Sequence, residues 1–340
     1  MKISFIVPAY NVSKYIKKCV DSILSCNMKD IEVIVVNDGS TDDTLEILNK
    51  YNDDRLKIIS KQNGGASAAR NDGINASSGE FLAFIDGDDF IDTADYEAVY
   101  EYAKNFNADI VVMDFYKDYK DKQEYITDFK TKDVIIDKQE YFKNIILGKN
   151  ARHNAVNKLI KRELFNDVKF PNGIFLAEDF NVISKIIFKA QNIVKLNKAY
   201  YHYLIGENNT SGFESLKGIM DHKFIYDDVT SFINKNVSCD YKNELLRALE
   251  LRKIKGVYLP LIFCKADLKN ENFKQGLEIL KRDLNGILQL EGFKKLRLKY
   301  RILFKMLKNT KTDEQICKIL TIFNAINNLF SGRKLKDFRA

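Results

Sequence analysis

Residues 81–89 read Phe-Leu-Ala-Phe-Ile-Asp-Gly-Asp-Asp, an apolar run closed by Asp86, Asp88 and Asp89. An unbroken apolar run this short predicts a strand buried on both faces, as in a parallel sheet. Carboxylates so close repel one another and resist ionisation unless a cation or a well-solvated loop accommodates them. Their oxygens suit a hard divalent ion, Mg2+ or Mn2+, which takes one or two protein carboxylates and completes its shell with water and substrate phosphates. An Asp/Gly turn at a strand end is the competing reading.

Outward from this run, short apolar segments alternate with amphipathic ones. Ile3 to Val7, Ile31 to Val36, Leu56 to Ile59 and Ile110 to Met113 read as further strands, and Ser13 to Leu24, Thr44 to Tyr51 and Ala66 to Ala76 as helices between them. That alternation predicts an α/β fold of βα units on a largely parallel sheet. Such sheets bind ligands beyond the carboxyl ends of their strands. The polar segments Pro8 to Asn11, Asn37 to Asp43 and Asp86 to Asp89 are therefore the candidate site. Beyond Ser215 the pattern turns helical, clearest at Asn243 to Arg252, Phe273 to Leu290 and Ile316 to Phe330.

Composition narrows the class. The 340 residues are 45% hydrophobic with a formal charge of +7, but residues 281–340 carry 15 Lys and Arg against 5 Asp and Glu, leaving residues 1–280 at −3. Basic character belongs to the C-terminal tail. There Ile316, Ile319, Leu320, Phe323, Ile326, Leu329 and Phe330 recur at helical spacing, followed by Arg333, Lys334, Lys336 and Arg339. Such a stripe suits an anionic membrane surface, or else packs on the protein with its charges solvated. Five cysteines without a C-x-x-C pair signal neither zinc nor a disulfide framework and favour a reducing cytoplasm. The N-terminal apolar run is broken at Pro8, too early for a signal peptide, and no run of 18 apolar residues occurs. The expectation is a cytoplasmic protein, soluble or peripheral on the inner face of the cell membrane.

Three further features carry chemistry. Asp38, at a strand end, can accept hydrogen bonds from a sugar or base, while Ser40 or Thr41 can cap the next helix. Arg70, at a helix start behind Asn63-Gly-Gly, suits a phosphate or carboxylate, or pairs with a nearby Asp. Glu178-Asp179 heads a helix, either as a reactive pair or as a charge complement to the helix N-terminus.

Together these segments resemble the metal-dependent, inverting, nucleotide-sugar glycosyltransferases of family 2, with the GT-A fold. The likeness rests on FIVPAYN (Phe5 to Asn11), VIVVNDGSTDDT (Val33 to Thr44), NGGASAARNDGI (Asn63 to Ile74), FLAFIDGDDFI (Phe81 to Ile91) and FPNGIFLAEDF (Phe170 to Phe180). It implies a catalytic domain over 1–215, with 1–115 binding the nucleotide-sugar and 116–215 supplying the acceptor side, and a helical region over 216–340. It further implies that Pro8, Tyr10, Asn11, Asp38, Arg70, Asp86 and Asp88 contact a donor, expected to be a UDP-sugar. By the same resemblance Asp88 holds Mn2+ or Mg2+ on the diphosphate, and Asp179 is the general base. Glu178, Asn157, Lys158 and His202 are acceptor or diphosphate candidates. The acceptor expected is a bacterial surface glycan or a lipid-linked one, as in capsule or lipooligosaccharide synthesis.

Two departures stand out: no basic residue occurs near Gly206, where His202 is the substitute, and Arg152-His153-Asn154 replaces an aromatic residue before Asn157. A sugar-nucleotide-forming nucleotidyltransferase is the enzymatic rival, but the segment after the first strand, PAYNVSKY, lacks the Gly-rich, Arg-containing loop expected of one. A nucleic-acid-binding protein using the basic tail is the other rival. No nucleic-acid-reading motif is present, so no nucleic acid partner is expected.

Overall fold

The computed structural model describes residues 1–92, 96–206, 215–238, 240–263 and 266–331, with 328–331 described by backbone alone. It divides into two compact units, Met1–Asn209 and Thr210–Ala340.

The first unit is an α/β sandwich on a nine-stranded sheet. Its strands are β1 (Ile3–Ala9), β2 (Ile31–Asn37), β3 (Leu56–Ser60), β4 (Phe81–Phe84), β5 (Phe90–Ile91), β6 (Ile110–Asp118), β7 (Gln123–Ile126), β8 (Lys158–Lys161) and β9 (Ile193–Leu204). The helices are α1 (Ile16–Leu24), α2 (Thr44–Leu48), α3 (Ala66–Ala76), α4 (Tyr96–Asn105), α5 (Lys138–Leu147) and α6 (Glu178–Lys189). In the sheet the order runs β3-β2-β1-β4-β8-β6-β9-β5, with β7 paired to β6. Strands β1 to β4 are mutually parallel, as the βα alternation predicts; β8 enters antiparallel between β4 and β6, and β6 and β9 are parallel again.

The run that decided the fold behaves as expected: every residue of β4 is buried. Pro8 is accommodated in β1 because β4 has already left the ladder. The β1–β4 pairing ends at Ile6 and Phe84, and the next donor, the Ile85 N–H, bonds to the Ile6 carbonyl. Two residues on, Pro8 faces the same side, where no β4 acceptor awaits its missing N–H. Helix α3 lies close over β1 because Gly73 has no side chain; a Cβ there would sit 2.4 Å from Ile6 Cγ2. Cys19 and Cys26, on and just after α1, are buried free thiols.

The second unit is helical, as the sequence predicts beyond Ser215. It comprises α7 (Leu216–Asn236), α8 (Lys242–Lys253), α9 (Leu259–Phe263), α10 (Glu271–Gln289), α11 (Leu298–Lys308) and α12 (Asp313–Ser331). Its core includes Ile225, Val229, Leu245, Leu249, Leu280, Phe304 and Leu320. The apolar stripe expected on α12 is split. Ile316 and Leu320 are buried within the unit, Ile326 is 51% exposed, and the side chains of Leu329 and Phe330 and the basic residues 333–339 lie outside the described residues. Cys239 and Cys264 also lie outside them. Among the described residues no helix is long and apolar enough to cross a membrane.

Candidate active site

The carboxyl ends of β1, β2 and β4 lie side by side, with Ala9 in register with Asn37. The loop after each strand is held by the loop after another. Asn11, at φ 53°, receives the Thr41 N–H on its Oδ1 at 2.8 Å and donates its own N–H to Ser40 Oγ at 3.1 Å. Ser40 and Thr41 thus tie the two loops together instead of capping α2, a correction to the sequence reading. Asp42 takes over near that helix, receiving the Thr44 N–H at 3.0 Å and the Ser13 N–H at 3.0 Å. Slight desolvation opposes these bonds and loses, so the Asp42 carboxyl is held at about 2. Tyr10 is left 50% exposed at the rim.

Asp38 is buried, and its two oxygens accept the N–H groups of Gly64 (2.9 Å) and Gly65 (2.7 Å) at the start of α3. Each oxygen retains a lone pair for a further donor. The Asp cluster that opened the sequence reading is divided among three tasks. Asp89 turns inward, bonding the Tyr201 hydroxyl and the Leu204 N–H (2.8 Å), and burial followed by repulsion from Asp86 and Asp88 pushes it up to about 8. Asp86 Oδ1 accepts a hydrogen bond from Arg70 Nη2 at 2.8 Å. Asp88 remains exposed, its carboxyl raised by partial desolvation and then by Asp86. Gly87 permits a close approach of this loop to β1: a Cβ there would meet the Pro8 carbonyl at 2.9 Å.

An exposed carboxylate beside a second one fits a divalent ion that arrives with a diphosphate and keeps most of its shell from phosphate and water. An all-protein cage does not fit, since no cluster of three or more His, Cys, Asp or Glu is placed to hold a metal among the described residues.

Arg70 is the hub. Buried at 5% exposure, it reaches Asp86 with Nη2 (2.8 Å) and Glu178 with Nη1 (2.9 Å), and Nη1 lies 3.9 Å from Asp179 Oδ1. The arginine thus realises the pairing alternative of the sequence reading, and its charge is committed to carboxylates from both sides of the site. Desolvation drives Glu178 up to about 7, and Arg70 pulls the other way; Asp179 is likewise raised, by desolvation first. Asp179 Oδ2 accepts the Ala155 N–H at 3.0 Å, while Oδ1 is buried without a hydrogen-bond partner. A buried, ionisable acceptor left vacant calls for a function, because such groups are nearly always satisfied. Ionised, such an acceptor can take a proton from a bound hydroxyl.

The remaining candidates play other parts. Asn157 and Lys158 are buried and bind Asp128, at 2.8 and 2.9 Å. Lys158 also holds the carbonyls of Arg152 (3.0 Å) and Asn154 (2.9 Å), which fixes the loop that presents the Ala155 N–H to Asp179. Neither side chain is open to a diphosphate. His202 is stacked between Phe90 and Tyr116, with ring centroids at 4.3 and 4.9 Å, and its nitrogens face Asp118 (2.8 Å) and Asp92 (3.0 Å). It is packed, not offered to a phosphate, while the segment beyond Gly206 lies outside the described residues. Sequence reading missed Asp128, whose only signal is an acidic residue in an otherwise unpatterned stretch. It also missed Ala177, which adopts φ 63° immediately before Glu178.

Known proteins resemble this chain in sequence and in fold. The family model described as Glycosyl transferase family 2 matches residues 4–169. Glycosyltransferase GlyA of Streptococcus pneumoniae is 35% identical over 219 residues, 62% of this chain, although the match spans only 31% of GlyA's own length. Glycosyltransferase GlyG of the same organism is 34% identical over 218 residues, 59% of this chain and 70% of GlyG. Among solved structures, residues 1–349 of S. aureus TarS, in complex with UDP-GlcNAc, align over 99% of this chain and 93% of theirs with a TM-score of 0.72 at 22% identity, a likeness of fold. With the GT-A architecture matched in this way and GlyG related across most of its length, the chain belongs to glycosyltransferase family 2.

Proposed function

We infer that the chain is an inverting, metal-dependent transferase that moves a sugar from a nucleotide donor, a UDP-sugar, to a hydroxyl of a bacterial surface glycan or a lipid-linked glycan. The observation that carries this reading is the unpartnered Asp179 Oδ1 beside the buried Arg70. In the reaction an acceptor hydroxyl donates its hydrogen bond to Asp179, loses its proton to that carboxylate, and attacks the anomeric carbon from the face opposite the diphosphate. The new C–O bond forms as the bond to the diphosphate breaks, and the bonding pair leaves with the diphosphate. Pro8, Tyr10, Asn11 and Asp38 line the loops where the nucleoside would sit, Asp86 would meet the ribose or donor sugar, and Asp88 would hold the metal on the diphosphate. The chemistry that Mn2+ or Mg2+ at Asp88 would supply is neutralisation of charge on the departing diphosphate. A UDP-sugar is supported by the UDP-GlcNAc held by the TarS fold relative. The surface-glycan acceptor follows from the family resemblance of the sequence motifs.

The test is a screen of UDP-sugars for UDP release, with donor hydrolysis as the readout in the absence of an acceptor. Release that requires Mn2+ or Mg2+ and stops in Asp88→Ala is expected. Full release by the folded variant in chelator would remove the metal from the mechanism.

A further inference from the structure

Helix α11 is apolar on two opposite sides. Leu303, Phe304 and Leu307 are buried within the second unit, whereas Leu298, Ile302 and Met306 are 62%, 49% and 48% exposed. Spaced four apart, the exposed three stack into one stripe along the helix. Its neighbour α12, joined to it by four residues and tied back by Lys299 to Asn327 (2.6 Å), repeats the pattern. There Ile316 and Leu320 face inward while Ile322 and Ile326 are 52% and 51% exposed. A helix apolar all round expects cover on both sides. Here one side has none among the described residues.

The surrounding charges indicate what covers it. Between Glu291 and Asp313 the chain carries eight Lys and Arg and no acidic residue. At 3.6 residues per turn Lys299 falls on one flank of the exposed stripe of α11 and Arg301, Lys305 and Lys308 on the other. A second copy of this chain is a poor occupant, because a two-fold contact would set these cations against their own equivalents. Anionic headgroups are the complementary surface: apolar side chains enter the acyl boundary while long cationic ones extend along it to the phosphates.

We propose that the exposed face of α11 and α12, formed by Leu298, Ile302, Met306, Ile322 and Ile326, docks on an anionic membrane surface. It shares only Ile326 with the stripe read in the sequence, of which Ile316 and Leu320 are spent on the unit's own core. The inference is independent of the donor chemistry, since none of these residues belongs to the candidate active site.

The experiment is co-sedimentation of the full chain with vesicles of phosphatidylcholine alone and of an equal mixture with phosphatidylglycerol. Sedimentation with the mixture only, weakening as salt rises, is expected. Ile302→Glu combined with Ile326→Glu should lower partitioning by about tenfold or more, and Lys305→Glu with Lys308→Glu by at least a similar factor, since each cation near the surface is worth roughly fivefold. Both variants should keep the circular dichroism and UDP release of the parent. Failure of the parent to sediment with the mixture overturns the proposal, as does parent-like binding by both variants. Light scattering that finds a dimer, dissociated by the Glu substitutions, would assign the face to a second copy instead. Loss of UDP release with lipid binding intact would count against the transferase reading alone.

Discussion

Arg70 serves two masters, and its removal separates them. Its guanidinium lies between Asp86 on one side and the Glu178–Asp179 pair on the other, where it opposes the desolvation that raises both acids. A general base works ionised, so activity is lost as pH falls through its pKa. Taking the cation away lets that pKa climb further, and Arg70→Gln should move the acid limb of kcat to higher pH by about one unit or more. Arg70→Lys, which keeps the charge without the fork, should restore much of the limb but not the full rate. A lower rate with an unmoved limb would mean that Arg70 only braces the fold. Asp179→Asn keeps the shape and removes the proposed base: transfer should drop about 10²- to 10⁴-fold with UDP affinity, measured by calorimetry, nearly unchanged. If affinity collapsed too, Asp179 would belong to the donor side. The identities of these acids were legible in the sequence because each follows a strand or heads a helix. Their partnership was not, since Arg70 lies 16 residues from Asp86 and 108 from Glu178, and only the folded chain brings them together.

Helix α6 begins under strain. Ala177 precedes Glu178 in the left-handed region, at φ 63°, where a Cβ is penalised by about 1–2 kcal/mol. Such strain at a functional helix start fixes the direction of the first turn. Ala177→Gly should therefore stabilise the protein by up to about 1 kcal/mol, read as a higher melting temperature, while loosening Glu178 and Asp179 and slowing transfer. A variant with higher melting temperature and unchanged turnover would show that the strain has no part in positioning the pair. Nothing in the sequence marks Ala177, because alanine gives no sign of a positive φ. Elements with a clean period were plain: α3 spans Ala66–Ala76 as read from the sequence. Helix α1 starts at Ile16 instead of Ser13, after a turn in which the Tyr15 and Ile16 N–H groups share the Val12 carbonyl and the Ser13 N–H is held by Asp42 from another loop. Non-local bonds of that kind are invisible to periodicity.

The molecule as a whole is a pair of compact units, each with its own core, and every donor-side candidate falls in the first. A ligand stabilises only what it binds when folded, by about 2.7 kcal/mol at about 100 times Kd. UDP with Mn2+ should thus slow hydrogen exchange in β1, β2 and β4 and leave α8 and α10 at their own rates. Equal protection in both sets would show that the units open together. The helical character of the second unit was readable in the periodic segments beyond Ser215. The insertion of β8 between β4 and β6 was not, since Lys158–Lys161 is too short a run to declare its neighbours.

The buried thiol on α1 offers a clock for the site. Cys19 lies behind the Asp86 loop, its sulfur 3.7 Å from the Asp86 carbonyl, and burial, then repulsion from Asp89, holds the thiol well above its ordinary pKa. Reagents attack the thiolate, so in the closed protein Cys19 is chemically silent. Its alkylation, followed by peptide mass spectrometry, would time how often the loop bearing Asp86 and Asp88 breathes away from its support. A saturating nucleotide-sugar should lengthen that interval.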